Sequence, residues 1–117
     1  DAYHDRHVVH IHQFIAWTGS RPSEPLKLLW KDIDFSKGIY TKRKTKSGQS
    51  PTLPMGNMTR QILEAQRRLL DTCPEIMRNS PLVFPGPSGG ERRLDSYKRH
   101  FQRIRDLAGI PKHYRPN

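Results

Sequence analysis

One cysteine, Cys73, stands in a chain of 117 residues. An intramolecular disulfide and a cysteine-built metal cluster are therefore excluded, and a reducing, cytoplasmic setting is the expectation. Acidic residues are scarce, with 11 Asp and Glu against 21 Lys and Arg, so the net charge is +10. That excess calls for a polyanionic partner, most simply nucleic acid. Apolar residues make up only 33% of the chain, which predicts amphipathic elements around a small core rather than elements buried on all sides. No apolar run approaches the roughly 18 residues of a membrane span, and no basic amphipathic helix stands alone as a membrane binder would. There is no signal peptide and no internal repeat. Asp1 without a methionine, and Asn117 just after Pro116, read as cuts through a longer protein.

What is present divides into a few patterned stretches. Residues 3 to 17 place Val8, Ile11, Phe14 and Ile15 at helical spacing, predicting an amphipathic helix that Gly19 ends. The same stretch carries His4, His7, His10 and His12. His7 and His10 lie one turn apart, as a metal pair would. No carboxylate joins them, so ordinary helix histidines are the plainer reading. A second helix is expected over 21–29 through Leu26, Leu28 and Leu29. Residues 30–35, 39–45 and 50–55 then read as three strands of an antiparallel meander, turning at Ser36-Lys37-Gly38 and at Lys46-Ser47-Gly48-Gln49. Pro51 and Pro54 confine the third strand to a sheet edge. A helix follows over 57–72, carried by Met58, Ile62, Leu63, Leu69 and Leu70 and stopped before Pro74. A loop-rich stretch leads to a last helix over 96–108. The fold class is α+β, mainly helical with a small meander.

Trp17-Thr18-Gly19-Ser20-Arg21-Pro22-Ser23-Glu24 is the stretch the rest is organised around. Ser20 is a candidate N-cap, and Pro22 is tolerated in a first turn because that N–H has no helical partner. Arg21 would then stand at a helix start, where backbone N–H groups favour an anion. Glu24, three residues on, is positioned to pin the guanidinium. A planar, permanently charged fork suits phosphate recognition. The second cationic feature is Lys42-Arg43-Lys44-Thr45-Lys46, four cations in five residues at a hairpin tip. Read alone, it is equally a solvated edge that resists aggregation.

TGSRPSE, then LLWKDIDF, TKSG and later Ala108-Gly109-Ile110-Pro111 together resemble the first part of the catalytic domain of the tyrosine recombinases, the phage integrase family. Pro25 departs from the family pattern, which has a helix-forming apolar residue after the glutamate. The resemblance implies that residues 1–117 are a partial catalytic domain, with a core-binding domain upstream and the rest of the catalytic domain downstream. It implies that Arg21 is one of two arginines clamping the scissile phosphate, supported by Glu24. Lys46 is then the hairpin lysine at the scissile site, with Lys44 as the alternative register. It implies breakage and rejoining of DNA through a 3′-phosphotyrosyl link, with no cofactor and no metal. The partner is double-stranded DNA, on which the parent assembles as a tetramer at paired sites, in a phage-encoded or bacterial cytoplasmic protein. Lys42, Arg43, Lys44, Thr45, Arg92, Arg93 and Arg99 are candidate DNA contacts. The second arginine, the later histidine and the nucleophilic tyrosine have no match here, and Tyr3, Tyr40, Tyr97 and Tyr114 do not occupy the nucleophile's place. The piece alone is expected to bind DNA without cleaving it. The alternatives are a non-enzymatic basic DNA-binding module and, further off, a basic protein-interaction domain.

Overall fold

The structure is a computed structural model that describes residues 6–42 and 51–92. Helix α1 (Arg6–Thr18) is followed by a short α2 (Ser23–Lys27), a 3-10 turn over Trp30–Asp32, and the strands β1 (Ile33–Asp34), β2 (Ile39–Thr41) and β3 (Thr52–Pro54). Helix α3 (Asn57–Leu70) and a single turn, α4 (Glu75–Arg78), complete the described elements. The strands form an antiparallel sheet in the order β1-β2-β3. This is the expected α+β arrangement, with the proline-bearing strand at the edge.

Helix α1 is the spine of the core. Val8, Ile11 and Ile15 fall on one stripe because they recur every three or four residues, and all are buried with Val9 and Phe14. They pack on Ile62 and Leu63 of α3, on Leu26 and Leu28 around α2, and on Val83 and Phe84 beyond α4. Each such side chain contributes about 1.5–3 kcal/mol by leaving water. Phe14 meets Tyr40 of β2 edge-on at 5.9 Å and Phe84 at 6.0 Å, so the aromatic pairs join helix, sheet and loop. Such T-shaped pairs place a positive ring edge on a negative ring face. Gly19 ends α1 at φ +69°, its N–H bonded to the Ile15 carbonyl at 2.9 Å. A side chain there would meet its own backbone, which is why glycine fills the position.

Three elements differ from the sequence expectation. The helix expected over 21–29 stops at Lys27, and the strand expected from Trp30 begins only at Ile33. The cause is distant in sequence. Val83 donates its N–H to Leu28, Trp30 donates to Pro81, and Leu29 bridges Leu82. Residues 28–30 are drawn into extended pairing with 81–83, which removes them from the helix their leucines favour. The 3-10 turn then redirects the chain into β1. Pro25 stands within the first turn of α2, where its missing N–H costs no bond. In the stretch expected as loop, residues 75–78 instead close the helical turn α4.

The basic residues of α3 do not simply project into solvent. Arg60 donates to the Phe35 carbonyl at 2.7 Å and lies over the Phe35 ring, tying the β1–β2 turn to α3. Arg67 lies 5.3 Å over the Trp30 ring. The last helix expected over 96–108, with Arg99, lies outside the described residues, as do Arg93 and the hairpin tip with Arg43, Lys44, Thr45 and Lys46.

Candidate functional site

The arginine turn begins where α1 ends. Thr18 donates its hydroxyl to the Phe14 carbonyl at 2.6 Å and shares a hydrogen bond with the Ser20 hydroxyl. Ser20 is buried and bonded backwards to α1, so it does not cap α2 as expected. The cap is built from Glu24 instead. Its Oε1 accepts the Arg21 backbone N–H at 2.7 Å, while Glu24 donates its own N–H to the Arg21 carbonyl at 3.0 Å. Glu24 thus reaches back one turn to Arg21, the residue just before Pro22 in the capping place of α2.

Glu24 therefore holds the backbone of Arg21, not its guanidinium. Its other oxygen, Oε2, lies 2.9 Å from the Lys42 amine, and both side chains are partly buried. One carboxylate thus joins the arginine turn to the residue that follows β2 and opens the basic hairpin. Lys42, expected as a phosphate contact, is occupied by this ion pair. Arg21 is exposed, and its side chain has no ion-pair partner among the described residues. Helix α2 is too short for a strong dipole, so the cationic character here comes from the guanidinium. Arg92 is half-buried just beyond the Pro85–Glu91 bridge.

The histidines of α1 turn inward. His10 donates from Nδ1 to the Gln66 Oε1 at 2.7 Å, because an amide oxygen only accepts. Gln66 donates from Nε2 to His7 Nδ1 at 2.8 Å and to the Val83 carbonyl at 2.9 Å. His7 accordingly carries its proton on Nε2, which faces Cys73 Sγ at 3.3 Å, and the thiol donates to the Leu69 carbonyl. The pair that looked like a metal site is one end of a polar web between α1 and α3. Among the described residues no cluster of three or more ligating side chains is present. His12 is fully buried, and desolvation lowers its pKa to about 3. Tyr40 is buried too, which raises its phenol's pKa.

Sequence reasoning missed two participants. Gln66 looks like an exposed polar residue of α3, and only its spacing with Ile62, Leu63 and Leu70 on the buried face could have flagged it. Lys42 looked like one cation among four, and nothing local in the sequence pairs it with Glu24.

A family model described as the phage integrase family matches residues 2–117. The chain belongs to the phage integrase family. The lambda integrase catalytic core is similar in fold, with a TM-score of 0.63 at 16% identity over 94% of this chain and 66% of that one. XerA recombinase is similar at a TM-score of 0.62 and 17% identity, over 96% of this chain and 44% of that one. A lambda integrase tetramer bound to a Holliday junction gives 0.62 at 15% identity, over 94% of this chain and 32% of that one. The family member described here thus spans two-thirds or less of the solved chains it matches, and at these identities the likeness is one of fold. No curated protein matches the sequence. Among the described residues no helix is long and apolar enough to cross a membrane.

Proposed function

We propose that this chain is part of the catalytic domain of a site-specific DNA recombinase, and that it supplies one of the arginines and the lysine of the cleavage site. The observation that carries the reading is the double use of Glu24. It fixes the Arg21 backbone and pairs with Lys42, so the exposed guanidinium and the root of the basic hairpin stand on one side of the molecule. Family membership supports the same assignment.

The chemistry follows from charge. A phosphodiester resists attack because its oxygens are negative and its leaving alkoxide is poor. Arg21 grips two non-bridging oxygens in one plane and stabilises the charge that builds on them. A tyrosine oxygen, from residues this sequence does not contain, attacks phosphorus, and the bond to the 5′ oxygen breaks. Lys46 donates a proton to that oxygen as it leaves. The product is a 3′-phosphotyrosyl link, and attack by another 5′ hydroxyl reverses it without external energy. The 117-residue piece binds double-stranded DNA and does not cleave it, and the parent assembles as a tetramer on paired sites.

The deciding experiment uses the full-length protein on a suicide substrate. Arg21→Lys keeps the charge and loses the planar fork. Covalent protein–DNA adduct should fall by about 10²–10³-fold, with duplex affinity nearly unchanged. Wild-type cleavage by the variant would refute the role of Arg21. If the unmutated full-length protein binds duplex yet never forms adduct, the non-enzymatic binding module takes its place.

A further inference from the structure

Both oxygens of Glu24 are engaged, and neither comes within ion-pair distance of the guanidinium three residues away. Oε1 accepts the Arg21 backbone N–H at 2.7 Å, and Oε2 lies 2.9 Å from the Lys42 amine. A carboxylate one turn from an arginine is placed to be its ion-pair partner. Here Arg21 is exposed and has no such partner among the described residues. The lysine is what departs from the ordinary case.

Lys42 is brought to the carboxylate by the sheet. Its backbone N–H donates to the Pro51 carbonyl at 2.9 Å, one step beyond the Thr41–Thr52 pair, so the pairing of β2 with β3 extends to it. The main chain is thus fixed at both ends of the contact, at Lys42 by this bond and at Glu24 by its N–H to the Arg21 carbonyl. The side chains of Lys42 and Glu24 are 23% and 20% exposed. Water and salt screen their attraction less than that of a carboxylate swung out to the open guanidinium, so the lysine takes the carboxylate. An Arg21 paired with Glu24 would have its fork occupied and its charge compensated, the opposite of what a phosphate needs.

We propose that Lys42 is a positioning residue of the cleavage site: by holding Glu24 it keeps the carboxylate off Arg21 and leaves the guanidinium free for the scissile phosphate. The inference rests on the cleavage reading above.

The test is a suppression experiment in the full-length protein on a suicide substrate, at saturating protein and below the melting transition of every variant. Lys42→Met keeps the length of the side chain and removes the amine. The released carboxylate then pairs with Arg21, and the single-turnover rate of adduct formation should fall about fivefold. Lys42→Arg, which keeps a cation facing Glu24, should recover most of that rate. The decisive variant is Lys42→Met with Glu24→Gln. The second substitution keeps an oxygen for the Arg21 N–H and removes the negative charge, so the double variant should be faster than Lys42→Met and match Glu24→Gln alone. An ion pair that serves only folding predicts no such recovery. The Arg21 Nε–H resonance gives a readout independent of rate. It should move far more when Glu24→Gln is added to Lys42→Met than when it is added to wild type. A double variant no faster than Lys42→Met, a Lys42→Met protein with the wild-type rate, or equal movements of the resonance each overturn the proposal and leave the cleavage reading intact. A wild-type protein that forms no adduct overturns both.

Discussion

Helix α1 supplies two regions that treat charged and polar groups in opposite ways. Along its buried side, His7 and His10 are joined through Gln66 to α3, Cys73 and the Val83 carbonyl. At its C-terminal end, Glu24 holds the Arg21 backbone and pairs with Lys42, while the exposed guanidinium has no ion-pair partner among the described residues. The histidines carry more versatile chemistry, since imidazole is acid, base and metal ligand. They are nevertheless structural, because every polar atom taken out of water must find a partner. The arginine is held by its backbone and has no ion-pair partner among the described residues. A reactive residue type identifies a site only when its surroundings leave it unsatisfied.

The strongest way to break this contrast is Gln66→Leu. The change preserves bulk but removes the Gln66 partner from two buried rings and one carbonyl. Loss of about 3–5 kcal/mol in urea unfolding is expected, since each buried group stripped of its bond costs about 1–3 kcal/mol. A loss under about 1 kcal/mol would mean that the web is not what locks α1 to α3.

Acid probes the same side of the helix through His12. Burial holds its folded-state pKa at about 3, below the unfolded value of about 6.5. Between those values the unfolded chain binds more protons, so stability is greatest above pH ~6.5 and falls as pH drops towards ~3. The expected slope reaches about 1.4 kcal/mol per pH unit from this group. His12→Leu should flatten the unfolding profile in that window, and an unchanged slope would assign the acid sensitivity elsewhere.

Smaller effects sharpen the exposed side. Gly19→Ala forces a side chain into φ +69° and should cost about 1 kcal/mol, read as a lower melting temperature. Because Gly19 launches the arginine turn, duplex affinity should weaken along with it. Glu24→Gln keeps an oxygen for the Arg21 N–H but removes the ion pair with Lys42. It should cost under about 1 kcal/mol, whereas Glu24→Ala should cost about 1 kcal/mol more by removing the cap. Equal losses in the two variants would show that the reach-back to Arg21 contributes nothing.

The comparison also explains what could be read before the structure. Periodicity exposed α1 and α3, because Val8, Ile11, Ile15 and Ile62, Leu63, Leu70 line single faces. Pro51 and Pro54 marked an edge strand because neither can donate to a ladder. Gly38 marked the β1–β2 turn, where φ is +68°. The length of α2 was illegible, since it is set by Pro81, Leu82 and Val83 rather than by its own leucines. The role of Glu24 was illegible for the same reason, since Lys42 comes from across the sheet. The histidines of the predicted first helix suggested ligands or surface, and only the placement of Gln66 opposite His7 and His10 gave the answer; His4 lies outside the described residues.

The ribbon between residues 28–30 and 81–83 has a consequence for the order of events during synthesis. The downstream flank of the arginine turn is held by backbone bonds to Pro81 and Val83. Until Val83 has left the ribosome, these backbone bonds to Leu28 and Trp30 cannot form, and a nascent chain halted upstream of that point would carry Arg21 without this support for its downstream flank. The shape of the turn is thus acquired late, well after Arg21 itself has been translated.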